Sequence, residues 1–154
     1  MKTYSILGEP MGEVFEALLG LAIDHCSTLQ LVVRPSLGLS DKGSALLGRL
    51  QALLIEKLET ARWPGTVLMD ETATLWRFRF NADSARIVTE AQPRLYWTQP
   101  QLPEDLSLLR MSGEPWLVTI AHERDAYLCL EEDERLKLQV RLPELLLTEE
   151  KQGD

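Results

Sequence analysis

The chain has 154 residues, a formal net charge of −8, 45% hydrophobic residues and 26% charged residues. That length suits one domain with a sizeable core, and the apolar content excludes an intrinsically disordered chain. Two cysteines, Cys26 and Cys129, are too few for a disulfide scaffold.

In chain order, Met1 to Pro10 lacks the long apolar stretch and small-residue cleavage site of a signal peptide. The spacing of Val14, Leu18, Leu21 and His25, with Phe15, Leu19, Ala22 and Cys26 one position on, predicts an amphipathic helix over 13–26. Its uncharged run, Ala17 to Ile23, falls far short of the roughly 20 residues that cross a bilayer. A cytoplasmic protein without membrane association is expected.

Thr28 to Arg34 reads as a strand stopped by Pro35, and 35–43 as a loop. A second helix is predicted from Ser44, its N-cap, to Ala61, on the stripe Leu47, Leu50, Leu54 and Leu58. Trp63-Pro64-Gly65 ends it. Strands are predicted over 66–69 and 72–80 around an Asp70-Glu71 turn, with Trp76, Phe78 and Phe80 inward and Arg77 and Arg79 outward. Residues 81–91 fit a short helix capped by Asp83 or a strand, and the pattern does not choose.

Residues 92–105, with Pro93, Pro100 and Pro103, read as a connector containing Trp97. A meander follows over 106–110, 116–121 and 126–130, turning at Ser112-Gly113-Glu114-Pro115 and His122-Glu123-Arg124-Asp125. The last helix is predicted over 132–142. Its acidic start, Glu131 to Glu134, and later Arg135, Lys137 and Arg141 complement the helix dipole. A frayed acidic tail is expected over 148–154. These elements define one α+β domain over 1–147. It has a mainly antiparallel sheet of about five strands and three to four helices mostly on one side.

Chemistry-bearing motifs are sparse. His122-Glu123 begins like a zinc-protease motif, but position 126 is alanine where the second histidine belongs. Neither His25-Cys26 nor His122 with Cys129 has zinc-ligand spacing, so no metal and no cofactor are expected. His25, on an apolar stripe, reads as a hydrogen-bonded core histidine. Cys26 at a helix C-terminus and Cys129 within a strand lack the cationic setting of a reactive thiolate and read as small packed hydrophobes. Phosphate loops and nucleophile elbows are absent. Glu104-Asp105, Glu123, Asp125 and the 131–134 run are carboxylates of the kind that acid–base chemistry uses in a cleft, but the run is explained by helix electrostatics alone.

Charge is distributed unevenly. Residues 1–80 hold 8 basic and 9 acidic groups, and 81–154 hold 8 basic and 15 acidic ones. That sign disfavours nucleic acid and suits a basic protein partner. The expected function is therefore a non-catalytic protein-binding module of the inhibitor or immunity type, using its acidic C-terminal half. Its binding residues would be His122, Glu123, Arg124, Asp125, Glu131, Glu132 and Asp133, with Trp97 or Trp116 as anchors. Two alternatives accompany it: an enzyme or small-ligand protein with a site around His122, Glu123 and Arg77, and a structural homo-oligomer subunit such as a homodimer.

Overall fold

A computed structural model of the chain describes residues 1–151. The first strand, β1 (Lys2–Leu7), leads into helix α1 (Glu13–Ala22) and strand β2 (Thr28–Val33). Helix α2 (Asp41–Leu50), strand β3 (Leu54–Thr60) and a small hairpin of β4 (Arg62–Trp63) and β5 (Thr66–Val67) come next. Strand β6 (Ala73–Arg79) and helix α3 (Ala82–Ala91) precede the meander β7 (Glu104–Leu109), β8 (Pro115–Ile120) and β9 (Asp125–Leu130). Helix α4 (Glu132–Arg141) and strand β10 (Leu146–Glu149) complete the described chain.

Eight strands form one sheet in the order β10-β1-β9-β8-β7-β2-β6-β3, with every neighbouring pair antiparallel. The α+β class holds, but the sheet is larger than the five or so strands expected. Three strands account for the excess: β1, which lies outside the predicted elements; β3, whose leucines fit a helix; and β10 (Leu146–Glu149), whose second half falls in the expected tail. Thr148 and Glu149 stand in register with Ser5 and Tyr4, so the tail expected from Thr148 begins inside a strand. Residues 152–154 of that tail lie outside the described residues.

The second helix is shorter than its leucine stripe suggested. Ser40, not Ser44, caps α2 by accepting from the Gly43 amide at 3.2 Å, and Leu46, Leu47 and Leu50 are its buried apolar side chains. Leu54 and Leu58 pass into β3, opposite Phe78 and Leu75. A spacing of four residues also fits a strand's period of two, and pairing with β6 decides between them. The undecided segment 81–91 is helix α3. Asn81, rather than Asp83, caps it by accepting from the amides of Asp83 (3.0 Å) and Ser84 (3.1 Å), while the Ser84 hydroxyl accepts from the Asn81 amide.

The main core lies on the helical face of the sheet. From α1 it takes Phe15, Leu18, Leu19 and Ala22, packed with Leu29, Leu31, Phe78, Leu106, Leu108 and Leu128. Each large side chain buried there contributes about 1.5–3 kcal/mol. The connector 92–105 is part of this core, because Leu95, Trp97 and Leu102 are buried. A smaller cluster of Val32, Trp63, Ala73 and Leu75 occupies the opposite face, where the β4–β5 arm crosses the sheet. Gly65 lies against Ile120 and Val118 with φ +88°, and a Cβ there would stand 2.7 Å from the Ile120 side chain. No helix among the described residues is long and apolar enough to cross a membrane.

Candidate functional site

Helix α1 ends a turn earlier than its apolar stripe. The amides of His25 and Cys26 both donate to the Ala22 carbonyl at 2.9 Å, and this turn carries His25 out to the start of α4. There Glu134, with a side chain only 8% exposed, accepts from both terminal nitrogens of Arg110 at 2.7 and 3.0 Å. Glu134 also accepts from the Glu131 amide at 2.8 Å, closing the capping box of α4. His25 Nδ1 stands 2.9 Å from the same carboxylate. Burial alone would raise the Glu134 carboxyl, but the Arg110 hydrogen bonds and the Glu131 amide outweigh it and hold it below the ordinary range.

Trp116 forms the floor. Leu108 pairs with Leu117 and Leu109 with Pro115, so Trp116 is the extra residue of a bulge in β8. Its ring stacks on His25 at 5.9 Å between centroids and 11° between planes. The indole nitrogen is buried without a hydrogen-bond partner among the described residues. Between α1 and α4 this leaves a pocket of about 220 Å³, lined by the apolar side chains of Leu21, Leu138 and Trp116 and by Asp24, His25, Glu134, Lys137 and Arg141. Among the described residues, neither Lys137 nor Arg141 is ion-paired.

His25 was expected in the core. It is instead a partly exposed side chain at a pocket edge, held from one side by Glu134 and from the other by Trp116. Cys26 packs into the core beside it, and burial pushes its thiol up to about 12. Burial likewise raises Cys129. Both thiols stay protonated at neutral pH.

The residues singled out from the sequence are dispersed. His122 and Glu123 lie exposed on a short 3-10 turn after β8. Arg124 follows in a left-handed conformation at φ +52°, pairs with Glu9 at 3.1 Å and rests over Tyr96. Arg77 donates to Gln30 and Glu56, both at 2.9 Å. It sits on β6, three strand positions from β8, or about 14 Å, so His122, Glu123 and Arg77 do not share a site. Glu123 and Asp125 are exposed at one end of β9, and Glu131, Glu132 and Asp133 are exposed beyond its other end. Trp97 and Trp116 are 0% and 1% exposed and belong to the core, which removes them as surface anchors.

In the sequence Lys137 and Arg141 are legible only as charges that suit a helix end, and Arg110 only as the last residue of the 106–110 strand. Their role at the pocket depends on the Trp116 bulge and the early end of α1, neither of which has a spacing signature. No family model, curated protein or solved structure matches the chain.

Proposed function

We propose that the chain is a non-catalytic binding protein whose α1–α4 pocket holds a small organic anion. The observation that carries this reading is the pair of cations, Lys137 and Arg141, without an ion pair among the described residues, beside the apolar side chains of Leu21, Leu138 and Trp116. Asp24 and Glu134 line the same concavity, but Glu134 is neutralised by Arg110, so Lys137 and Arg141 outnumber the one remaining carboxylate and favour a carboxylate or phosphate. The apolar walls favour a short hydrocarbon or single ring attached to it. At about 220 Å³, and with about 30 Å³ per displaced water, the ligand is on the scale of benzoate. Glu134, committed to Arg110 and the Glu131 amide, anchors the pocket rather than reacting in it.

Calorimetry with benzoate, phenylphosphate, neutral benzamide and cationic benzylamine tests the reading. Saturable binding of the two anions, weakened by salt and by Lys137→Gln with Arg141→Gln, is expected. Absence of anion binding, or equal binding of benzamide, overturns it.

A basic protein partner is the second reading, favoured by the exposure of Glu123, Asp125, Glu131, Glu132 and Asp133. Such a partner would have to span β9 from one acidic group to the other, roughly 20 Å. Reversing either group should slow association at low salt, and unchanged on-rates for both reversals would remove this reading.

A further inference from the structure

Under the β4–β5 arm, on the face of the sheet opposite the pocket, strand β7 starts with two buried acids. Glu104 is 4% exposed and Asp105 1%. Neighbouring side chains on a regular strand point to opposite faces, but β7 is irregular here. Gln30 pairs with Ser107 and Val32 with Glu104, so β7 carries one residue more than β2 across this interval. Asp105 absorbs the bulge at φ +51°, a left-handed conformation that aspartate tolerates better than most residues. The bulge brings both carboxylates to the same place, and the turn after β8 adds His122. Ligand-capable atoms of Glu104, Asp105 and His122 lie within 4.8 Å of one another.

The hydrogen bonding around this cluster is uneven. Asp105 is held from both sides, accepting from the Trp63 indole and from the Ala121 amide, each at 2.9 Å. Each oxygen keeps a further lone pair, and such supporting donors are what orient a ligating carboxylate. Glu104 accepts from the Gln99 amide at 3.2 Å through Oε1. Its other oxygen, Oε2, is buried with no partner among the described residues. A buried carboxylate oxygen without a donor costs free energy unless a proton or a cation meets it. Arg34, the nearby guanidinium, is paired with Glu71 at 2.7 Å.

We propose that Glu104, Asp105 and His122 form a binding site for a first-row divalent cation, with Zn2+ the best fit. Two carboxylates and an imidazole make an O,O,N donor set suited to zinc. Ligands on a tetrahedral ion with bonds of about 2.0–2.1 Å stand about 3.4 Å apart. The three atoms, now within 4.8 Å, would have to draw closer around the ion, and His122, with its side chain 50% exposed, is the least confined of the three ligands. Three protein ligands leave a fourth position for water. His122 is exposed and opens that position to solvent, whereas both acids are buried, Asp105 against the Trp63 indole. This site is separate from the anion pocket and stands or falls without it.

The test uses tag-free protein stripped with EDTA and returned to chelator-free buffer. Calorimetry with Zn2+, and visible spectroscopy with Co2+ as a replacement ion, are run on the parent chain, Glu104→Gln, His122→Ala and the control His25→Ala. One Zn2+ per chain is expected, with affinity at least tenfold weaker in Glu104→Gln and in His122→Ala and unchanged in His25→Ala. Co2+ should give a visible band that His122→Ala abolishes. If Glu104→Gln fails to fold, the half-exposed His122→Ala still decides the matter. No stoichiometric binding by the parent chain, or parent-like binding in either folded ligand variant, overturns the proposal.

Discussion

Glu104 and Glu134 are buried to similar depths, 4% and 8% exposed, on opposite faces of one sheet, and their surroundings differ. Glu134 has two guanidinium nitrogens, a backbone amide and an imidazole nitrogen around its two oxygens. Glu104 has one backbone amide and an oxygen without a hydrogen-bond partner among the described residues. The carboxyl pKa values move apart accordingly: Glu134 falls because its partners outweigh burial, and Glu104 rises because burial outweighs the single Gln99 amide. Burial alone therefore does not identify a functional acid. A satisfied acid joins elements, here α1, α4 and the end of β7. An unsatisfied one is held in a state that a proton or ion completes.

The largest effect should come from removing the partner of the satisfied acid. Arg110→Met leaves Glu134 buried without its main counter-charge, and breaking such a pair costs about 3 kcal/mol, the low end of the usual range because Arg110 retains 17% exposure. The pH dependence of unfolding should change with it. A carboxyl lowered in the folded state stabilises above its ordinary value near 4.5, and that contribution is lost as pH falls through the lower folded value. In Arg110→Met the acid limb should flatten. Urea midpoints at pH 7 and pH 4 measure both. A loss under 1 kcal/mol at pH 7 would mean that His25 and the Glu131 amide suffice, and the contrast with Glu104 would shrink.

A smaller effect is expected on the other face. Trp63→Phe keeps a ring in the small core cluster and removes the indole donor to Asp105. A buried charged acceptor that loses one of two donors costs about 2 kcal/mol. If Asp105 instead rotates to recover a partner, the loss drops below 1 kcal/mol, and zinc affinity falls because the ligand is no longer oriented.

The two faces also differ in what the sequence revealed. The meander was readable because two apolar runs are interrupted by Ser112-Gly113 and by His122 to Asp125, and the structure turns at both places. The helix starting at Glu132 was readable from its acidic first turn. By contrast, Leu54 and Leu58 fit either period, and only pairing with Phe78 and Leu75 makes them strand. The bulges at Trp116 and Asp105 depend on the register of partner strands distant in sequence. Both candidate sites are built on those bulges, which is why His25 read as core and Glu104-Asp105 as an unremarkable acidic pair. The acidic second half was legible as composition, but not its division between the two ends of β9.

The smallest expected effect has the opposite sign. Glu104→Gln, in chelator at pH 7.5, should stabilise the protein by about 1 kcal/mol, because the amide keeps an acceptor for Gln99 and removes a charge whose second oxygen lacks a donor. A carboxyl raised by folding imposes its penalty above the folded value. The penalty fades as pH falls, and it is gone below the ordinary value near 4.5, where both states hold the proton. The advantage of glutamine should therefore vanish at pH 4.5. Urea midpoints at the two pH values give the answer. Zinc should then raise the midpoint of the parent chain at pH 7.5 and leave the glutamine variant almost unmoved, since only the parent presents an ionised oxygen to the ion. Destabilisation of Glu104→Gln at pH 7.5 that persists at pH 4.5 and fades only at lower pH would show that the charge itself is paired in the folded state. Glu104 would then belong with Glu134 as a structural acid.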